Sequence, residues 1–354
     1  MKISLLTAAL LAGVILPSRA TVSFDMVTVG DPGNVSKAVS TFDATGTAAT
    51  LNLGAVGYTY RMATEEVTVA QYAEFLNSVD PGGANSLALY NNEMGSNAQS
   101  AGIALTSGAA AGSKYSVLAG TGQHPITFVG FDNAARFVNW LSNGQGGGDT
   151  ESGVYAKMGG GSSSGTGTVF TMLHAPSASF WVPSMDEWFK AAYYDPTLNS
   201  GTGGYWDYAT RSDTAPANGY ATATADTNHA NYAIDGSYTM SPGGYPAGNA
   251  LTDAGTFVTS LSYYGTLDQN GNVDEFIANT SDAETQFYYM GGGWSASNVG
   301  LNSDAVYHSK FVDFPSSFSG FRIASGATPV PEPSVSLLLL GLMGGMAAFR
   351  RRRV

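Results

Sequence analysis

Cysteine is absent from all 354 residues. That excludes disulfide staples, so core packing, hydrogen bonds or metal must hold the fold together. Charge is scarce as well, at 12% of residues against about a quarter in ordinary domains. What charge there is leans acidic, with 27 Asp and Glu against 15 Lys and Arg. Six of those basic residues sit in the two terminal segments described next (Lys2, Arg19 and Arg350 to Arg353), so the body keeps nine. Such a balance excludes nucleic acid and anionic membrane surfaces as partners, and suits divalent cations and neutral or cationic polymers. Histidine is limited to His124, His174, His229 and His308, and no two have the H-x-x-x-H spacing of a helical metal pair.

Long apolar runs are confined to the ends. Residues 1–20 combine Lys2, an apolar run over 3–16 and the small-residue site Ser18-Arg19-Ala20, the pattern of a secretory signal peptide. The run is shorter than the roughly 20 residues a membrane span needs. At the other end Val330, Pro331, Glu332 and Pro333 precede an apolar stretch at 335–349 and the four arginines. A span followed by a basic stop keeps the arginines cytoplasmic. The tail, 329–354, resembles a PEP-CTERM sorting signal, which implies processing by an exosortase and membrane contact through the tail alone.

Between the ends, two capping boxes open helices: Thr68 with Gln71, and Ser184 with Glu187. Val69, Tyr72, Ala73 and Leu76 make the buried stripe of the first. A helix from about Asp132 carries Ala134, Phe137, Val138 and Leu141 at helical spacing. Strands are expected at 24–29, 58–63 and 169–173. Residues 79–122 lack periodicity and are expected as inserted loops, 142–167 as a low-complexity surface loop, and 195–264 as long irregular backbone. Gly161 to Gly165 satisfies G-x-S-x-G around Ser163, but in Gly/Ser low complexity rather than at a strand-to-helix elbow, so it is discounted.

The last third is the densest in signal. It contains LDQNGNVDEF at 267–276, YYMGGGWSAS at 288–297 and SGFRIA at 319–324. The first block packs Asp268, Asn270, Asn272, Asp274 and Glu275 together, the oxygen density a hard cation needs. It is not an EF-hand, since Val273 stands where the sixth-position Gly belongs and Asn279 where the twelfth-position Glu belongs.

These blocks resemble the formylglycine-generating enzyme (sulfatase-modifying factor) family. Glu66-Val67-Thr68 with Gln71, Tyr72 and Phe75 is similar to its "EVT…Y..F" opening. His124-Pro125-Ile126 through Trp140-Leu141 resembles its "HPV..VSW.DA..Y..WL" helix, and Val182 through Ala192 its "LPTEAEWEYAA". Gly271 through Phe276 resembles "GNVWEW", and Gly292 through Ser295 with Gly320 through Arg322 resembles "GGSW…GFR". The resemblance covers roughly residues 24–325.

The resemblance implies an α+β fold, the formylglycine-generating-enzyme-like variant of the C-type-lectin fold, loop-rich with few short helices and strands. It assigns 1–20 to the signal peptide, 21–328 to one domain and 329–354 to the tail. It places a calcium on the Asp268 side chain, the Gly271 and Val273 carbonyls and Glu275. A second calcium would take Asn231, Tyr232 and, at a departing spacing, Asp253. The enzymes use two cysteines just after the GGSW block to bind copper. Here that segment is residues 295–301, SASNVGL, and serine or leucine cannot replace a soft thiolate. Copper and formylglycine generation are therefore not expected. The function expected is an exported, non-catalytic module in the cell envelope or extracellular matrix, binding an extracellular polysaccharide or surface protein. The alternative is a cysteine-independent oxidoreductase or other enzyme using the same groove. His308 falls near the family's groove, and Trp181, Trp188 and Trp294 are candidate aromatic platforms for sugar rings.

Overall fold

The computed structural model describes residues 21–42, 48–147, 149–155, 174, 178–218, 227–234, 237–238, 248–278, 288–307 and 315–327. Both terminal signals, including Val330, Pro331, Glu332 and Pro333, lie outside these residues, as do the strand expected at 169–173, Ser163 and His308.

The three expected helices form where their caps and apolar spacing put them. Val69–Val79 starts on Thr68, whose Oγ1 accepts from the Gln71 amide at 3.3 Å while Gln71 Oε1 accepts from the Thr68 amide at 2.8 Å. Met185–Tyr193 starts on Ser184 in the same way, with Glu187 as its third residue. Phe131–Ser142 buries its apolar face against the first helix. Phe75, Phe137, Trp140 and Phe321 meet with ring centroids 5.3 to 5.6 Å apart, an edge-on and tilted cluster that favours aromatic quadrupoles.

Strands are short and their pairing is remote in sequence. One sheet runs in the order Met26–Val29, Tyr60–Ala63, Ala324–Gly326, Phe180–Trp181, every neighbour antiparallel. Its register sets Met26 opposite Ala63 and Ala324 opposite Met62, so the start and end of the domain share one strand. A second sheet places Asp274–Ile277 between Tyr288–Met290, antiparallel, and Ser319–Gly320, parallel. The Met185–Tyr193 helix packs Trp188, Phe189 and Tyr193 over that sheet, against Ile277 and Met290.

Residues 79–122 differ from the loops expected. Leu89, Tyr90, Met94, Ile103 and Tyr115 are buried in the main core, and Ile103–Leu105 pairs with Tyr115–Val117. Asn77 bonds the Tyr115 backbone from both ends of its amide, at 2.7 and 3.0 Å. These apolar residues join the main core without following any period, so the segment has a core role. Trp181, Trp188 and Trp294 are 2%, 0% and 7% exposed. They are core side chains and offer no platform to a sugar.

Candidate functional site

The loop that carries the acidic block is held from three sides. The Leu267 amide donates to Thr64 at 2.8 Å, the Asn272 amide to Asn231 at 2.7 Å, and the Gly271 amide to Gly291 at 3.0 Å. Asp268 and Asn272 both adopt positive φ, at 57° and 59°. Gly271, at φ +91°, could carry no side chain, because a Cβ would sit 2.3 Å from the Asn231 carbonyl oxygen. From the other direction the Val67 amide donates to Phe321 and the Ala63 amide to Ile323, each at 2.9 Å. Thus the motifs around Glu66, Asp268 to Glu275 and Arg322 converge although they are far apart in sequence.

Arg322 stands at the centre, 0% exposed, and every one of its five N–H donors has a direction. Nε and Nη2 reach the two oxygens of Glu275 at 2.6 Å each. Nη2 also reaches the Leu267 carbonyl at 2.9 Å, and Nη1 the Ala63 and Thr64 carbonyls at 3.2 Å. Trp188 Nε1 adds a third donor to Glu275 at 2.8 Å. Glu275, expected as a calcium ligand, therefore presents its carboxylate to a guanidinium and an indole.

Two further acids surround this pair. Asp268 is 8% exposed, and its Oδ2 accepts from the Gly255 amide at 2.6 Å. Burial pushes its carboxyl up to about 6, opposed by that amide and by Arg322. Glu66 is 1% exposed. Its Oε1 accepts from Asn272 Nδ2 at 3.4 Å, and its Oε2 has no hydrogen-bond partner among the described residues. Burial first, then Asp268, holds the Glu66 carboxyl well above the usual range, with Arg322 pulling the other way. Three carboxylates share one guanidinium, so full ionisation would leave two negative charges without counter-charge. No group of three or more acid or histidine side chains among the described residues is arranged to hold a metal ion by itself, so a cation here has to draw on carbonyls. In the sequence Glu66 stands out only as the first residue of the EVT motif. The signal that marks it is an acid directly before Val67, at the start of a capped helix.

The residues of the second expected calcium set have separate partners. Asn231 is 2% exposed, with its Nδ2 on the Ala250 carbonyl at 2.9 Å and on Asn272 Oδ1 at 3.0 Å. Tyr232 packs beside Tyr208, Ala230 and Leu301. Asp253 is more than half exposed, and its carboxylate lies 3.6 Å from His124 Nε2. Asn231 thus belongs to the support of the first loop, through Asn272.

Residues 295–301 border a cavity of about 320 Å³. Ala296, Ser297, Val299 and Gly300 line one side, and Met290, Gly291 and Gly292 the other. Among the lining residues the titratable groups are Asp274 and Tyr193. Tyr193 donates its hydroxyl to the Leu301 carbonyl at 3.0 Å and is 2% exposed. Asp274 opens the Asp274–Ile277 strand and accepts from the Gly292 amide. Burial pushes its carboxyl up to about 7, that amide opposing.

Residues 19–327 match the family model for the sulfatase-modifying factor enzyme 1-like domain, and residues 329–353 match the PEP-CTERM protein-sorting motif. No curated protein matches the chain. Among solved structures, CarF aligns at a TM-score of 0.44 and 19% identity, over 86% of this chain and 99% of its own. Variable protein 1 of Treponema denticola aligns at 0.47 and 16%, over 87% and 97%. PvdO from Pseudomonas aeruginosa aligns at 0.42 and 14%, over 85% and 94%. With the family match in hand, the fold is the formylglycine-generating-enzyme-like, α+β variant of the C-type-lectin fold. The sorting motif marks an exported protein with an exosortase-processed, membrane-anchoring tail. The chain belongs to the sulfatase-modifying factor enzyme 1-like domain family.

Proposed function

We propose that this is an envelope module that binds a polymer or protein ligand, is stabilised by calcium, and does not generate formylglycine. The observation that carries the reading is the lining of the cavity beside residues 295–301. Where the family's chemistry needs two thiolates, this cavity presents Ala296, Ser297, Val299 and Gly300. The described lining holds a single carboxyl and no imidazole. General acid–base or nucleophilic catalysis needs a second group within hydrogen-bond reach of the first, and Tyr193 is already bonded to Leu301.

The calcium part of the proposal rests on the orphaned Glu66 Oε2. A buried carboxylate oxygen without a donor is costly unless it is protonated or meets a cation. Calcium takes about six to eight oxygens, carboxylate and carbonyl alike, in flexible geometry. Asp268 and Glu66 supply the carboxylates, and the Gly271 and Val273 carbonyls of the same loop remain the expected backbone ligands. Glu275 contributes indirectly, by fixing Arg322. The ion would supply the two positive charges this centre lacks.

The catalytic half is tested by incubating the purified domain with copper and a sulfatase-type cysteine peptide. The expected result is no aldehyde in the peptide mass spectrum. Catalytic turnover to formylglycine would overturn the reading.

A further inference from the structure

We propose that the cavity between residues 290–292 and 296–302 is a subsite for a protonated primary amine carried on a small polar ring, an amino sugar with a free amine. The inference rests on the reading of the domain as a ligand-binding module and names the chemical class of what it binds.

The cavity's charge pattern is one-sided. Among the described lining residues Asp274 is the single acid, and there is no Lys, Arg or His. Phosphate, sulfate and carboxylate groups would meet a carboxylate with no cation to offset it. A purely apolar ligand would cover that carboxylate without replacing its hydration. An ammonium group supplies both charge and donors, and charge-assisted bonds are the stronger kind. The Gly292 amide, itself part of the lining, donates to this carboxyl. The acidic body adds long-range attraction for cations.

The remaining walls select the body that carries the amine. Met290, Ala296 and Val299 give apolar contact on the flanks. Gly291, Gly292 and Gly300 expose backbone rather than side chain, and Ser297 and Asn302 bring a hydroxyl and an amide to the same space. Such groups suit ring hydroxyls. The described lining residues offer no aromatic stacking face, since Tyr193 is 2% exposed and its hydroxyl is bonded inward. A neutral sugar therefore has no platform here, and the ammonium–carboxylate contact must carry the affinity. About 320 Å³ admits one ring, not an extended chain.

The test is isothermal titration of the full mature domain, in calcium, with glucosamine, N-acetylglucosamine, glucose and Nα-acetyl-lysinamide. Glucosamine should bind at least about tenfold more tightly than the other three, as expected for one charge-assisted contact. Asp274→Asn should remove that preference. Val299→Trp should block the mouth from an exposed position without touching Asp274. If circular dichroism shows that Asp274→Asn does not fold, Val299→Trp decides. Equal affinities, no glucosamine binding, or binding indifferent to both substitutions would overturn the subsite. Tighter binding of the lysine derivative would overturn the sugar in favour of a protein amine. Capture of a fully acetylated or neutral polysaccharide without glucosamine binding would sink the subsite and leave the module reading standing.

Discussion

Arg322 and Glu275 form a buried pair whose worth lies in what breaking it leaves behind. Removing one partner strands the other charge, at a cost of roughly 3–5 kcal/mol, whereas replacing both with apolar groups is far milder. Arg322→Met should therefore lower stability to urea by about that amount, and the double variant with Glu275→Leu should recover much of it. A single-variant loss below about 1 kcal/mol would show that the pair is solvated in solution. Lys190 is another buried cation, with its Nζ on the Asp31 carbonyl at 2.8 Å. Burial lowers its pKa to about 8, and the Asp31 carboxylate opposes the shift. Between about pH 8 and 10 the unfolded chain binds a lysine proton that the folded chain has released, so stability attributable to this group rises with pH. Above that range the buried tyrosines Tyr60, Tyr155 and Tyr193, raised in the fold by burial, act in the opposite sense. Urea midpoints should climb over the window in the wild type relative to Lys190→Met. Parallel profiles would remove Lys190 as the cause.

Helices and their caps were legible because their signals are local. Thr68 with Gln71 and Ser184 with Glu187 lie three residues apart, and both boxes close in the fold as the spacing demands. Each side-chain cap is worth about 1 kcal/mol. Ser184→Ala and Thr68→Ala should each lower the melting temperature by about 2 °C in a domain of this size. Unchanged melting in both would mean that tertiary packing alone fixes these helix starts. Strands were less legible. Pairs such as Phe180–Trp181 and Ser319–Gly320 are too short to show a period of two, and their partners lie far away in sequence. The segment 79–122 departs from the loops expected of it for a related reason. Leu89, Tyr90 and Ile103 are spaced by the holes they fill rather than by any repeat.

At the scale of the molecule, the family and the sorting tail were readable from ordered motifs, but the chemistry of the centre was not. Oxygen density at 268–275 pointed to a cation, and the Glu66 carboxylate that shares the centre lies about 200 positions earlier. Nothing in local sequence says that Arg322 claims Glu275 or that Trp188 caps it. What results is a domain without disulfides whose centre gathers three acids around one guanidinium. An ion that binds only the folded state adds RT ln(1 + [L]/Kd), roughly 2.7 kcal/mol at a hundredfold excess over Kd. The most direct measurement is the melting temperature of the mature domain in calcium and in chelator, for the wild type and for Glu66→Gln. Calcium should raise the wild-type value by about 5 °C, magnesium by less, and Glu66→Gln should remove most of the calcium effect. Superimposable wild-type curves in calcium and chelator would contradict the account.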